Sequence, residues 1–220
     1  MGGVPVSRGR FIVVEGAEGV GKTTQVRRLA AFLEGAGLPL VMAREPGGTA
    51  VGEGIRQLLL HGSQGPVPRE TELLLILAAR ASVVREVVEP ALAAGKWVLS
   101  DRFDLSSFAY QGYGRGIGVD EVARLNEYAT GGLAADLYLV LDLAVEEGMA
   151  RQAREARSPD RFEAEDSTFR RAVREGYLEL ARSVDRAVLV SADGSPGEVE
   201  ERIRSEMFAR FPETFGEGGV

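Results

Sequence analysis

The chain has 220 residues, 45% of them hydrophobic and 27% charged, a profile that excludes fibrous, disordered and disulfide-scaffolded molecules and fits one soluble globular domain. Zero cysteines remove disulfides, thiolate-bound zinc, iron–sulfur clusters and thiol catalysis together. With 33 acidic against 26 basic residues the net charge is −7, so a general affinity for nucleic acid is not expected.

The N-terminus, MGGVPVSRGR, lacks the apolar core of an export signal. No run reaches the roughly 18 apolar residues of a membrane span, so a cytoplasmic protein with no membrane partner is expected. The apolar run 11–14 leads into Val26, Leu29, Ala30 and Leu33, spaced as one face of a helix: a strand feeds a helix. Similar runs recur at 38–43, 97–99, 137–141 and 187–190. Each is near-continuous, as expected of strands covered on both faces, and five parallel strands with helical crossovers make an α/β sheet. Residues 70–88 are dense in Leu, Ile, Ala and Val and predict one long, largely buried helix ending near Pro90. No repeat or linker divides the chain, so 1–220 reads as a single domain with termini frayed over 1–9 and 213–220.

Residues 16–23, GAEGVGKT, match G-x-x-x-x-G-K-[ST] and stand between the first strand and the first helix. Glycines let backbone N–H groups curl around phosphate oxygens, and the helix N-terminus adds partial positive charge. Lys22 reaches the β/γ-phosphates and the Thr23 hydroxyl ligates Mg²⁺. A nucleoside triphosphate is implied, held by Gly16, Ala17, Glu18, Gly19, Val20, Gly21, Lys22, Thr23 and Thr24. The only asparagine, Asn126, precedes Glu127, which disfavours a guanine-specific switch; the small size and the Asp101-Arg102 pair point to a kinase of small molecules.

The stretches VEGAEGVGKTTQ (14–25), REPGGT (44–49), AAR (78–80), DRFDLSSFAYQGYGRG (101–116), DLYLVLDL (136–143) and DRFE (160–163) together resemble bacterial thymidylate kinases, in order and spacing, over nearly the whole chain. The resemblance implies the P-loop nucleoside monophosphate kinase fold with strand order 2-3-1-4-5, a short lid at about 148–165, ATP as phosphoryl donor to dTMP, Mg²⁺, and a homodimer formed through helices beside the sheet. The apolar helix around 73–88 suits that pairing, and equally suits a core helix. The acceptor is already a phosphate whose second pKa is about 6, so no general base is needed, in keeping with a lone histidine, His61, outside every motif.

By the same resemblance Arg44 and Arg102 hold the acceptor phosphate, Asp101 supports Mg²⁺, and Glu18 contacts the acceptor sugar. Arg80 reads the base edge, and Ser107, Tyr110 and Gln111 line the nucleoside pocket. Three bland alternatives stand beside these: a buried Asp101-Arg102 pair, an outward-turned Glu18, and Tyr110 as packing. Arg151, Arg154, Arg157 and Arg161, spaced by three, three and four, fall on one helix face, either solvated or part of the lid. Family members carry a catalytic arginine in the phosphate loop or in the lid. This loop has none between Gly16 and Lys22, so the lid type is expected, with Arg154 and Arg161 the better candidates and Gly148 and Ser158-Pro159 bounding the moving segment. One departure concerns the base: Ile76 stands where the family usually stacks a Phe. Another is Phe103, where Tyr or His is common.

Overall fold

The computed structural model describes residues 8–62, 65–154 and 160–216. In chain order the elements are β1 (Phe11–Gly16), α1 (Lys22–Gly35), β2 (Leu40–Arg44), α2 (Ala50–Gln57), α3 (Arg69–Val83), α4 (Glu89–Ala93), β3 (Trp97–Asp101), α5 (Asp104–Ser107), α6 (Val119–Thr130), β4 (Leu137–Asp142), α7 (Val145–Gln152), α8 (Ser167–Ser183), β5 (Ala187–Ser191), α9 (Pro196–Arg210) and α10 (Pro212–Phe215). The sheet is parallel with order β2-β3-β1-β4-β5, as the resemblance implied.

Continuous apolar strands follow from two covered faces. Phe11 and Val13 of β1 enter one core with Val98 and Val140; Ile12 and Val14 enter the other with Leu99 and Leu139. The edges depart from that expectation: Met42 on β2 and Leu189 on β5 are 44% and 49% exposed, because an outer strand has a neighbour on one side only. The run expected at 187–190 lies wholly within β5, Ala187–Ser191, whereas the one at 38–43 pairs two residues later at its start and one later at its end, as Leu40–Arg44.

The helix expected over 70–88 is longer and less regular. After α3 the chain passes through a π-helical turn, Val84–Val88, and continues as α4, so Pro90 lies at a helix start and the helical path ends at Ala93. A proline tolerates the first turn of a helix, where its missing N–H has no intrahelical partner, and the wide turn before it makes that restart. The tail expected to fray from residue 213 is held as far as Phe215, which stacks on Phe32 with centroids 5.4 Å apart and meets Trp97 edge-on.

Register aligns the carboxyl ends of three strands. Arg44 pairs with Asp101, and Asp101 with Val14, so the residues that follow β1, β2 and β3 leave the sheet side by side. Ligands bind in this crevice in open α/β sheets.

Candidate active site

A cavity of about 490 Å³ opens at that crevice. Its wall takes the phosphate loop, Arg44 to Pro46 after β2, Asp101 to Phe103 after β3, the α3 side chains Ile76 and Arg80, and Gln152 and Phe162 from the lid region. The loop can be this tight only with glycine. Gly19 has φ +77°, and a Cβ there would sit 2.3 Å from the carbonyl oxygen of Gly148, which brings the loop tip against α7. Lys22 closes the loop on itself, donating from Nζ to the Ala17 carbonyl at 2.6 Å with Glu18 at 4.0 Å. Thr23 opens α1 with its hydroxyl donating to Asp101 Oδ2 at 3.3 Å.

Arg102 is the hub of a hydrogen-bond network just past the end of β3. It is the only non-glycine residue with positive φ among those described, at +73°, a conformation that costs energy and persists where the surroundings enforce it. Five acceptors do so. Nη1 donates to the Gly16 carbonyl and Ser106 Oγ at 3.0 Å and to Tyr177 Oη at 3.1 Å; Nη2 donates to Glu18 Oε1 at 2.5 Å and Tyr110 Oη at 3.2 Å. Glu18 therefore points inward, its outward alternative being wrong. Burial pushes its carboxyl up, but Arg102 and then Lys22 outweigh that and bring it down to about 2. The expected alternative of an Asp101-Arg102 pair also fails, since Arg102 takes Glu18 and Asp101 faces Thr23. The ring of Tyr110 packs edge-on to Phe162, Phe169 and Tyr177, as its packing alternative had it, and its hydroxyl donates to Glu18 at 3.0 Å, a contact the sequence did not foresee.

Beneath Arg102 lies Glu15, fully buried at the end of β1. It accepts from the backbone N–H of Phe103 at 2.8 Å, Ser106 Oγ at 2.6 Å and Tyr177 Oη at 2.9 Å, which shapes the strained turn. Burial raises its carboxyl above the ordinary range, with Arg102 pulling the other way. A carboxylate placed directly after the apolar run 11–14, still within the strand, was the sequence signal for it.

On the opposite wall Arg80 is 1% exposed and locked by three different acceptors: Glu45 Oε2 at 2.7 Å, Asn126 Oδ1 at 2.9 Å and the Phe103 carbonyl at 2.9 Å. A guanidinium has five N–H groups, so two stand outside these three bonds. Glu45 precedes the cis Pro46, and burial pushes its carboxyl up to about 7 against the pull of Arg80. Arg44 is half exposed and paired with Glu53 at 2.7 Å. Ile76 lines the cavity, and Ser107 Oγ is buried there without a hydrogen-bond partner. Tyr110 and Gln111 come from a π-helical stretch, Phe108–Gly114, of the kind frequent at functional sites.

The arginine cluster does not share one helix face. α7 ends at Gln152, a turn follows, and the spacing rule stops with the helix. Arg151 lines the cavity and donates to the Ala192 carbonyl at 3.0 Å. Arg154 is exposed beyond the helix end. Arg161 is turned from the cavity, donating to the Leu59 carbonyl at 3.0 Å and pairing with Glu72 at 2.8 Å. Arg157 and Ser158-Pro159 lie outside the described residues.

The donor set for a hard divalent cation is partly present. Thr23 and Asp101 offer a hydroxyl and a carboxylate side by side at the loop, and among the described residues no cluster of three or more His, Cys, Asp or Glu side chains accompanies them. A hydroxyl beside a carboxylate suits Mg²⁺, a hard cation that takes one or two carboxylates and completes its shell with phosphate oxygens and water.

Comparison with known proteins points to a single family. The family model described as Thymidylate kinase matches residues 14–203. A thymidylate kinase of Alkalilimnicola ehrlichii is 46% identical over 204 residues, 93% of this chain and 94% of the relative. One from Synechococcus sp. (strain JA-3-3Ab) is 50% identical over 202 residues, covering 91% and 96%, and one from Methylococcus capsulatus is 46% identical, covering 90% and 95%.

Proposed function

Because the chain belongs to the thymidylate kinase family, and so passes the γ-phosphate of ATP to dTMP to give dTDP and ADP, we propose that the transfer runs in the cavity between the phosphate loop and the ends of β2 and β3. The observation that carries this placement is the convergence of Lys22, Arg102, Arg44 and Arg80 on that one cavity. Two polyanions must be brought together, and cations fixed in a partly desolvated site lower that repulsion most.

The backbone N–H groups of 16–24 cradle the donor phosphates, and Lys22 turns from the Ala17 carbonyl to the β/γ-oxygens. Arg102 and Arg44 hold the acceptor phosphate. Glu18 fixes the Arg102 fork and is within reach of the acceptor sugar. Arg80 offers its two remaining N–H groups to the base edge, Ile76 packs on the base face, and Ser107 Oγ, Tyr110 and Gln111 complete the pocket. No residue has to take a proton, because the attacking oxygen belongs to a phosphate largely ionised near pH 7. Thr23 and Asp101 would hold Mg²⁺, which supplies charge neutralisation across the donor phosphates.

The lid arginine divides into two roles. Arg161 is committed to Glu72 and Leu59, which makes it an anchor of the lid, whereas Arg154 carries the charge that completes the transferring group on closure. Arg154→Ala should lower kcat on the order of tenfold to a hundredfold with dTMP KM little changed, and Arg161→Ala should raise that KM as well. An unaltered kcat for Arg154→Ala in initial-rate assays moves the role to Arg151. At the base, Ile76→Phe adds a stacking ring and should tighten dTMP binding by a few fold in titration calorimetry. Weaker binding would show that the pocket is shaped around the smaller side chain.

The homodimer pairs through α3 and α6, where Leu74 and Tyr128 are 56% and 92% exposed. Sedimentation equilibrium should give twice the 23.6 kDa chain mass, and Leu74→Glu should shift it to the monomer. Among the described residues no helix is long and apolar enough to cross a membrane; the family reading makes the protein a cytoplasmic enzyme of deoxynucleotide synthesis. The deciding experiment is ADP production with ATP and Mg²⁺ against dTMP, dUMP, dCMP, dGMP, AMP, CMP and UMP. Stimulation by dTMP above the others supports the assignment of the pocket, and preference for another acceptor overturns it.

A further inference from the structure

Glu72 lies on α3 with 0% exposure, and both of its oxygens are taken by donors. Oε1 accepts from Gln111 Nε2 at 2.8 Å and Arg115 Nε at 3.1 Å; Oε2 accepts from Arg115 Nη2 at 3.1 Å and Arg161 Nη1 at 2.8 Å. Glu165 adds a second carboxylate on Arg115 at 2.6 Å, so two acids and two arginines balance. Burying a charge demands such pairing. Gln111, itself 1% exposed, lines the cavity, whereas Glu72 does not.

A glutamine amide carries a donor and an acceptor that differ little in shape, so its chemistry in a pocket depends on which way it is turned. A carboxylate already gripped by two guanidiniums takes donors only. It therefore engages the amide nitrogen and leaves Gln111 Oε1 as the atom available to the cavity. Sequence reasoning gave Gln111 a place in the pocket but no orientation, and passed over Glu72.

We propose that Glu72 is a positioning residue that fixes the turn of the Gln111 amide, so that the acceptor half of the cavity presents a hydrogen-bond acceptor selective for a pyrimidine bearing a ring N–H. The proposal rests on the reading of this cavity as the dTMP site. Thymine carries a hydrogen at N3 and matches the oxygen; cytosine carries a lone pair there and is repelled. Uracil also carries that hydrogen, so the contact separates dTMP from dCMP and leaves dUMP to the contacts around the methyl group.

Glu72→Gln is the test, since it keeps the shape but can accept or donate, releasing the Gln111 amide. The ratio of kcat/KM for dTMP over dCMP is expected to fall about tenfold or more, through KM more than kcat, because a site built to bond an N–H rejects its absence strongly. A merely structural role would lower both substrates together, and an unchanged ratio overturns the proposal. The exchanged pair Glu72→Gln with Gln111→Glu keeps the charge count and again offers a fixed acceptor, so it should recover part of the ratio. That pair carries the test if the single variant does not fold, and no recovery in the folded pair counts against the proposal. With the unaltered protein, N3-methyl-dTMP should bind at least tenfold more weakly than dTMP, and equal binding overturns it as well. Absence of any dTMP turnover by the unaltered protein would instead sink the thymidylate reading itself.

Discussion

Lys22→Ala is expected to lower kcat by on the order of 10²–10³-fold with the fold intact. The side chain reaches back over the loop to the Ala17 carbonyl, is 8% exposed, and forms no part of the apolar clusters. Burial pushes its ammonium pKa down, and Arg102 adds to that; Glu18, Asp101 and Glu15 work the other way. On the proposed placement the substitution removes the cation that faces the negative charge gathering between donor and acceptor phosphates, while the backbone cradle and the acceptor contacts remain. ATP binding should therefore weaken less than turnover falls. Initial rates over a grid of ATP and dTMP separate the two, and a thermal scan and circular dichroism check the fold. Near-normal kcat would remove Lys22 from the transfer step.

Arg102→Met should be at least as damaging to kcat/KM for dTMP, by about 10³-fold, and unlike Lys22→Ala it should also cost stability. Methionine fills much of the space but breaks all five hydrogen bonds of the guanidinium and leaves Glu18 with Lys22 at 4.0 Å and the field of Arg170 as its remaining positive charge. The strained backbone at φ +73° remains, now with fewer contacts to enforce it. Removing one partner of a largely buried pair costs about 2–5 kcal/mol, and the low end applies because Glu18 retains 21% exposure. For a chain of this size that is a Tm lower by about 4–8 °C.

The pH dependence gives a second readout of the same pair. Glu18 has a folded pKa of about 2 against an ordinary 4.5, so its contribution to stability is fully present above about pH 4.5 and is lost as pH falls towards 2. Without Arg102 the folded value rises, and that part of the acid-side loss of stability disappears. Thermal scans between pH 2 and 6 should show a shallower slope for Arg102→Met than for the unaltered protein. Parallel slopes would mean that Arg102 is not what holds Glu18 ionised.

Much of the molecule was legible in one dimension because local patterns follow from backbone geometry. Near-continuous apolar runs marked the five strands, the i, i+3, i+4, i+7 spacing of Val26, Leu29, Ala30 and Leu33 marked α1, and the glycines and Lys22 marked the phosphate loop. The family resemblance supplied the strand order and the reaction. The same logic failed where a local rule was carried past the element that obeys it. The arginine spacing from 151 to 161 assumed one helix, but α7 ends at Gln152, and Arg161 turns to Glu72.

Tertiary structure alone decided the partners of the buried polar groups. Glu15 meets Tyr177 across 162 residues, Arg80 meets Glu45 across 35 and Asn126 across 46, and Gln111 meets Glu72 across 39. No periodicity encodes such pairs. A buried charge takes whichever opposite charge or donor the packed elements bring within about 3 Å, because leaving it unpaired in a medium of low polarity costs several kcal/mol. The sequence by itself determined which chain segments become strands, helices and the phosphate loop; the packing of distant segments determined how Arg102, Arg80 and Gln111 are aimed.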